Sequence, residues 1–183
     1  MNMKKKLILL VAAVIILAAV SLGYHNINTR YPAAVVKEAA AGYTLEYQKG
    51  VFISANKKEV LSQEEVNQAF EALHMESLAD TKIFKITITL NNTTQETQEL
   101  SMTDLNLVTI GCSNGISKLL IDFSDDSYDR VMQTLEPGEI KQVTFPYEML
   151  SSWFSKEDWE HIEEREFWLS FSEYPVKTIL KLE

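Results

Sequence analysis

Apolar and polar residues alternate most clearly in segment 82–90, which reads KIFKITITL. From position 84 to position 90 the apolar residues occupy the even positions, and lysine or threonine stands between them. This is the period of a strand with one buried face and one solvated face. The β-branched isoleucines and threonines also favour an extended backbone. The pattern predicts a long central strand, and the turn-forming residues 91–94 end it.

The same period recurs along the chain and predicts further strands. They are a hairpin of residues 43–47 and 51–53, then segments 104–112, 117–123, 140–145, 166–172 and 176–182. Asn114-Gly115 favours a tight hairpin turn between segments 104–112 and 117–123. A Pro-Gly turn at 136–139 precedes segment 140–145, and Pro146 is expected to end that strand.

Within segment 104–112 the apolar positions change parity near Val108. The strand is therefore either buried on both faces or interrupted there by a β-bulge. Two short helices are predicted from the capping spacing of Ser62 with Glu65 and of Ser155 with Asp158. About eight strands and two short helices indicate an all-β chain, an immunoglobulin-like β-sandwich.

The N-terminus carries a different pattern, because a basic start is followed by residues 7–22 without a charge. Residues 7–24 have the minimum length of a membrane-spanning helix, and a cleaved signal peptide is the alternative. The sequence thus predicts a signal anchor or signal peptide at 1–24, a linker at 25–41 with a turn or two of helix at 32–40, and the sandwich at 42–183. The positive-inside rule predicts a single-pass protein of the cell membrane with its C-terminal domain outside, or a secreted domain after cleavage.

Composition and charge narrow the classes of function. The 183 residues are 46% hydrophobic, which is enough for a packed core, and their formal net charge is −9. A polyanion repels phosphate backbones and anionic lipid head groups, so we expect no nucleic-acid partner and no membrane contact beyond residues 7–24. Cys112 is the single cysteine. It excludes an intramolecular disulfide, and we expect a buried structural thiol there.

Motifs for nucleophilic, zinc or phosphate chemistry do not occur in the sequence, and its three histidines are far apart. The acidic segment 122–129 lacks the glycine and the terminal glutamate of an EF-hand loop, so we interpret it as a surface loop. We therefore expect a binding or accessory module without cofactor, metal or enzymatic activity. The rival hypotheses are an enzyme using scattered carboxylates such as Glu148, Asp158 and Glu163, and a structural spacer in an envelope complex.

One aromatic residue breaks the alternation of the C-terminal strands. Trp168 stands between Phe167 and Leu169, which are predicted to face inward, so its indole should face outward. Trp is enriched at binding hot spots. We hypothesise a partner-binding surface of four aromatic residues, Trp168, Trp153, Phe154 and Trp159. The alternative is that segment 147–164 plugs one end of the sandwich or covers Trp168.

Three stretches carry a family resemblance, KIFKITITLNNTT, LEPGEIKQVTFPYEML and FWLSFSEYPVKTILKL. In this order they resemble uncharacterised exported immunoglobulin-like β-sandwich proteins of Gram-positive bacteria, over roughly residues 42–183. The resemblance implies a cell-envelope setting and a possible protein partner there. It supports binding over catalysis and brings no catalytic residues or ligand.

Overall fold

A computed structural model describes residues 3–75, 80–123 and 128–182. The chain divides into two compact units, Met1–Val35 and Val36–Glu183. The first unit contains α1, Met3–Arg30, which continues six residues beyond the predicted boundary at 24. Within α1, Leu10–Arg30 is long and apolar enough to cross a membrane, a property that a signal sequence shares. The predicted membrane segment is therefore an apolar helix.

The described residues beyond α1 contain eleven strands and three α-helices. In chain order they are β1 (Val35–Ala39), β2 (Thr44–Gln48), β3 (Val51–Val60), α2 (Gln63–Ala72), β4 (Thr81–Asn92), β5 (Gln98–Ser101), β6 (Asn106–Thr109), β7 (Cys112–Gly115), α3 (Lys118–Phe123), β8 (Met132–Leu135), β9 (Ile140–Leu150), α4 (Lys156–Glu160), β10 (Trp168–Ser170) and β11 (Val176–Lys181). Short 3-10 turns, Ser151–Trp153 and Ile162–Glu164, flank α4.

The strands form a β-sandwich. One sheet has the order β2-β3-β4-β9, the other has the order β1-β11-β10-β6-β7, and β5 pairs with β8. The inner faces share one core, to which Ile86 and Phe145 contribute from the four-stranded sheet and Leu107 and Leu169 from the five-stranded sheet. The predicted sandwich is confirmed, although its eleven strands exceed the predicted eight.

β4 lies at the centre of the four-stranded sheet, between β3 and β9. Its even-numbered residues Phe84, Ile86, Ile88 and Leu90 are fully buried, as the alternation predicts. Ile83 is also buried, but on the outer face, where it packs with Val66 of α2 and Leu120 of α3. The helices therefore cover part of the outer face of this sheet.

Two further local predictions are confirmed. The side chain of Ser62 caps α2 by accepting from the backbone N–H of Glu65, whose carboxylate accepts from the N–H of Ser62 at 2.8 Å. Pro137 and Gly138 form the turn before β9, closed by a 3.0 Å bond from the N–H of Glu139 to the carbonyl of Glu136. Both motifs involve residues at most three positions apart, so a local sequence pattern is sufficient to predict them.

The prediction of a strand at 117–123 is wrong, because these residues contain α3. Leu119 is exposed, whereas Leu120 and Ile121 are adjacent and both buried. Leu120 packs in the small cluster beside Ile83, and Ile121 packs in the main core. In a helix of 3.6 residues per turn adjacent side chains lie about 100° apart, so α3 directs Leu120 and Ile121 to two clusters while Leu119 faces solvent.

The predicted turn at Asn114-Gly115 is also wrong, because the β6–β7 hairpin turns at Ile110-Gly111. Gly111 adopts φ +85°, which this two-residue connection requires and glycine tolerates. Asn114 lies within β7, and its side-chain amide donates to the carbonyl of Glu148 in β9 at 2.8 Å. The strand before the turn ends at Thr109 and keeps one parity, so neither the bulge nor burial on both faces is found.

Two expectations about proline-containing segments need correction. β9 continues through Pro146, which lies opposite Lys85. The proline is tolerated because β9 is an edge strand, and a missing N–H there interrupts no second strand. At 32–40 the structure has β1 instead of a helical turn, since Val35 and Val36 favour an extended backbone next to β11.

Candidate functional site

Trp168 lies on β10, in the interior of the five-stranded sheet. Its register partners are Lys181 of β11 and Val108 of β6. Phe167 and Leu169, on either side of it in the chain, are buried in the core. Trp168 is itself half-buried on the outer face, the side that alternation predicts.

A shallow depression of about 400 Å³ adjoins this indole. We call it the Trp168 depression; residues 108–113 of the β6–β7 hairpin line it together with Trp168 and Lys177. Ile110 at the tip of the hairpin is 74% exposed. The indole Nε1 is buried and finds no hydrogen-bond acceptor within residues 3–75, 80–123 and 128–182. The depression thus combines the exposed side chain of Ile110 with part of the half-buried indole of Trp168.

Arg165 holds the tip of this hairpin in place. Its Nη2 donates to the carbonyl of Ile110 at 2.7 Å, and its Nε donates to Oγ1 of Thr109 at 3.4 Å. The same guanidinium forms an ion pair with Asp158 and lies 5.8 Å from the ring centroid of Phe154. Since its side chain is only 20% exposed, these charge-assisted bonds fix the turn that carries Ile110.

The other three predicted aromatic residues lie in and before α4. The rings of Phe154 and Trp159 are 5.9 Å apart, and both side chains pack against the margin of the main core. Trp153 is 44% exposed. Arg165 connects Phe154 to the hairpin that lines the Trp168 depression. Phe154 and Trp159 are thus partly buried against the core, whereas Trp153 is open to solvent.

The charges beside Trp168 are paired. Lys177 lies 3.5 Å from Glu173, and Lys181 contacts Glu38 at 2.9 Å and Glu166 at 3.4 Å. Hydrogen bonds to these two glutamates raise the pKa of Lys181. The surface around the indole therefore carries compensated charges, although the chain as a whole is acidic.

Cys112 also lines the depression and is half-buried rather than buried. Burial raises the pKa of its thiol, so the protonated form prevails at neutral pH. Its Sγ lies 3.8 Å from the Sδ of Met149. These contacts favour a packing role over a nucleophilic one.

The carboxylates of the enzyme hypothesis each have a separate partner. Glu148 accepts from the hydroxyl of Ser117, Asp158 pairs with Arg165, and Glu163 pairs with Lys82. In the part of the chain that the structure describes, no group of three or more His, Cys, Asp or Glu side chains is arranged to hold a metal ion.

The acidic segment 122–129 is described only at its ends, since residues 124–127 lie outside the described residues. Asp122 contacts Arg130 at 3.2 Å, and Asp129 accepts from the backbone N–H of Thr144 at 2.7 Å. Asp122 and Arg130 also line a second depression, of about 430 Å³, between α3 and β8.

Sequence reasoning missed Ile110, Arg165 and Lys177. Gly111 is a turn-forming residue and indicates that Ile110 lies in an exposed turn. The Asn114-Gly115 dipeptide nearby is a stronger turn signal, so the turn was predicted there instead. Arg165 is the one arginine in an acidic stretch of the sequence, 157–166. Its role depends on Thr109, 56 positions earlier, so no local pattern identifies it.

Comparisons found one protein family and several solved structures that are similar to this chain. A family model described as "Domain of unknown function (DUF5028)" matches residues 33–178. The secreted protein MPT63 of Mycobacterium tuberculosis superposes with a TM-score of 0.52 at 9% identity, covering 81% of this chain and 99% of that one. An uncharacterised β-sandwich protein of Clostridium difficile 630 gives 0.44 at 15% identity, covering 82% and 96%. A conserved hypothetical protein of Bacillus anthracis gives 0.47 at 12% identity, covering 78% and 94%.

No match was found among curated protein sequences. The resemblance to uncharacterised β-sandwich proteins of Gram-positive bacteria, a secreted protein among them, is confirmed.

Proposed function

We propose a function from the surface of the chain itself, because the chain belongs to DUF5028, a family whose shared domain has no known function. In this proposal the protein is a membrane-tethered extracytoplasmic binding module of the cell envelope, without enzymatic activity. It recognises a protein partner through the Trp168 depression. The observation that carries this proposal is the exposed Ile110, held beside a half-buried Trp168 by Arg165.

The arrangement has the properties of a protein-binding hot spot. A Trp side chain offers a large contact area, and Ile110 adds apolar surface on a turn that is already ordered. Preordering lowers the entropy that binding would otherwise cost. The paired charges around Trp168 mean that binding would not desolvate a lone ion.

The tether is proposed from α1 and its flanking lysines. An uncleaved α1 gives a single-pass protein with the sandwich outside, and cleavage would release a secreted domain. We also assign the sandwich to the immunoglobulin-like class, supported by two packed sheets with antiparallel pairing. We expect a fusion of alkaline phosphatase to the C-terminus to be active, because that enzyme is active only outside the cytoplasm. If only a cytoplasmic reporter were active, export would be contradicted. N-terminal sequencing of the mature protein distinguishes an uncleaved tether from a cleaved signal peptide.

Site-specific photocross-linking in cells tests the binding surface. A benzoylphenylalanine at exposed Ser113, which lines the depression, should give a discrete adduct. The same probe at Tyr43, 70% exposed, is the matched control and should not. Ile110→Ser should abolish the Ser113 adduct and leave the melting temperature unchanged, because Ile110 is largely exposed.

Trp168→Phe provides the second variant, because it keeps an aromatic ring but reduces the contact area that the indole offers. It should weaken the adduct without unfolding the domain. No discrete adduct from position 113, equal yields from positions 113 and 43, or a Ser113 adduct insensitive to both variants would refute the assignment. The first of these outcomes would favour the spacer hypothesis.

A further inference from the structure

β9 is the longest strand at an edge of the sandwich. It has eleven residues, whereas β1, β2 and β7, the strands at the other three edges, have four or five. One side of β9 pairs with β4, and no strand lies on its other side. Unpaired N–H and C=O groups on such an edge are a template for pairing with another chain, and a long edge offers more of them.

At Thr144 of β9 a single residue takes the place of a neighbouring strand. The backbone N–H of Thr144 donates to Oδ2 of Asp129 at 2.7 Å, and its carbonyl accepts from the N–H of Asp129 at 2.9 Å. Asp129 is itself outside any strand, in the segment between α3 and β8. Both outward backbone groups of Thr144 are therefore bonded within the chain.

The next two outward positions of β9 are also bonded within the chain. The carbonyl of Pro146 accepts from the N–H of Ser117 at 2.9 Å, and a proline has no N–H to offer. The carbonyl of Glu148 accepts from Nδ2 of Asn114 at 2.8 Å. We call the three alternate positions 144, 146 and 148 the covered edge. At positions 140 and 142, before it, no residue that the structure describes bonds to the outward backbone groups.

We infer that Asp129 keeps β9 from pairing edge to edge with β9 of a second copy of this chain. Without Asp129, positions 140, 142 and 144 would form a run of three outward positions that all have an N–H. Two such runs can pair antiparallel about Gln142, with position 140 of one copy opposite position 144 of the other. Each of these pairs exchanges two hydrogen bonds.

A second copy is the occupant that fits, because the run 140–144 is centred on Gln142 and both copies supply the same unpaired groups. While Asp129 is bonded to Thr144, only positions 140 and 142 remain, and the missing N–H of Pro146 ends the run on its other side. The inference does not depend on the Trp168 depression, which lies on the five-stranded sheet.

Sedimentation velocity of the full-length chain in one detergent tests this inference. Asp129→Pro removes the backbone N–H and the carboxylate together, so its protein mass should be twice that of the unmodified chain at the same concentration. Adding Gln142→Pro to this variant should restore the original mass, because it removes the central N–H of the run. Pro146 shows that β9 accepts a proline at an outward position.

Two matched controls separate the loss of this cover from general damage. Asp129→Asn keeps the N–H and an oxygen acceptor, and it should sediment like the unmodified chain. Asn114→Ala also removes a bond to the β9 edge, but it uncovers only the carbonyl of Glu148, beyond Pro146. It should therefore not dimerise.

Tryptophan fluorescence shows whether each variant is folded. If Asp129→Pro does not fold, Asp129→Ala, which removes the carboxylate alone, takes its place and should also dimerise. The inference is overturned if the folded variant keeps the mass of the unmodified chain, if Asn114→Ala also doubles its mass, or if the dimer persists after Gln142→Pro. Failure of both Asp129 variants to fold would overturn it too, since Asp129 would then be required for folding itself.

Discussion

Asn92 should be the most sensitive polar residue in the domain. It is fully buried at the end of β4. Its Nδ2 donates to three carbonyls, those of Glu96, Leu135 and Glu136, at 2.9, 3.2 and 3.0 Å. Its Oδ1 accepts from the N–H and the hydroxyl of Thr94 at 3.0 and 2.7 Å. One amide therefore ties the end of the central strand to the loop after it and to the end of β8.

Asn92→Ala removes all five contacts and leaves the buried carbonyl of Leu135 without this donor. Each lost hydrogen bond has a net value of about 1 kcal/mol, and a stranded buried group costs about 1–3 kcal/mol. Water entering the space satisfies part of the network. We therefore expect the free energy of unfolding to fall by about 3–5 kcal/mol, which lowers the melting temperature by roughly 6–20 °C for a chain of this size.

The assay is denaturant unfolding of the full-length chain, followed by tryptophan fluorescence in one detergent. Asn91→Ala is the matched control, because Asn91 is the adjacent residue on the half-exposed outer face and should cost under about 0.5 kcal/mol. A loss below about 1 kcal/mol for Asn92→Ala, or equal losses for the two variants, would refute the argument that this amide holds the turn.

Two other perturbations have clear expected results. Gly50→Ala should lower the melting temperature far more than Gly42→Ala. Both glycines have positive φ, but a Cβ at Gly50 would lie 2.4 Å from Cγ2 of Thr94, whereas the space around Gly42 is open. Equal shifts in melting temperature would show that only backbone strain matters. Burial raises the pKa of the phenols of Tyr47 and Tyr147, and Asp104 raises that of Tyr47 further. A phenol whose pKa is raised in the folded state contributes stability that is present below its ordinary pKa near 10 and is lost above it. The free energy of unfolding should therefore fall above about pH 10, with phenolate absorbance appearing as the chain unfolds. Gradual ionisation of all tyrosines in the folded chain would contradict this.

Short-range patterns predicted a large part of the fold. The alternation on β4 identified its buried face, the Ser62–Glu65 spacing identified the cap of α2, and the Pro-Gly pair identified the turn before β9. In each case the deciding interactions lie within a few residues, or the core selects one parity of a strand. A local pattern is then sufficient, because any fold that buries the apolar residues must respect it.

Local patterns were insufficient where contacts with distant elements determine the structure of a segment. Leu119, Ile121 and Phe123 alternate as in a strand, yet residues 118–123 form α3, in which Leu120 packs in the small cluster beside Ile83 and Ile121 packs in the main core. Asn114-Gly115 has a strong turn signal, yet the side chain of Asn114 bonds to β9 and the turn forms at Gly111. The β5–β8 pair was missed because each strand has only four residues.

The candidate site was predicted only in part. Alternation singled out Trp168, because a large aromatic residue on the outer parity of a strand is visible in the sequence. Ile110 and Arg165 were not singled out, since their significance comes from contacts between residues far apart in the chain.

The sequence by itself determined that this chain has an apolar N-terminal segment, a sandwich of alternating strands and an outward tryptophan. These properties follow from residue periods of two and from the length of one apolar run, which hold whatever the partners of each strand. Only the tertiary structure decided which strands are neighbours, which turn closes the β6–β7 hairpin and which side chains lie beside Trp168. The period of apolar residues along the sequence specifies which face of an element is buried. A binding surface, in contrast, combines side chains from several elements. Its composition therefore depends on strand register and on long-range contacts such as that of Arg165 with Ile110.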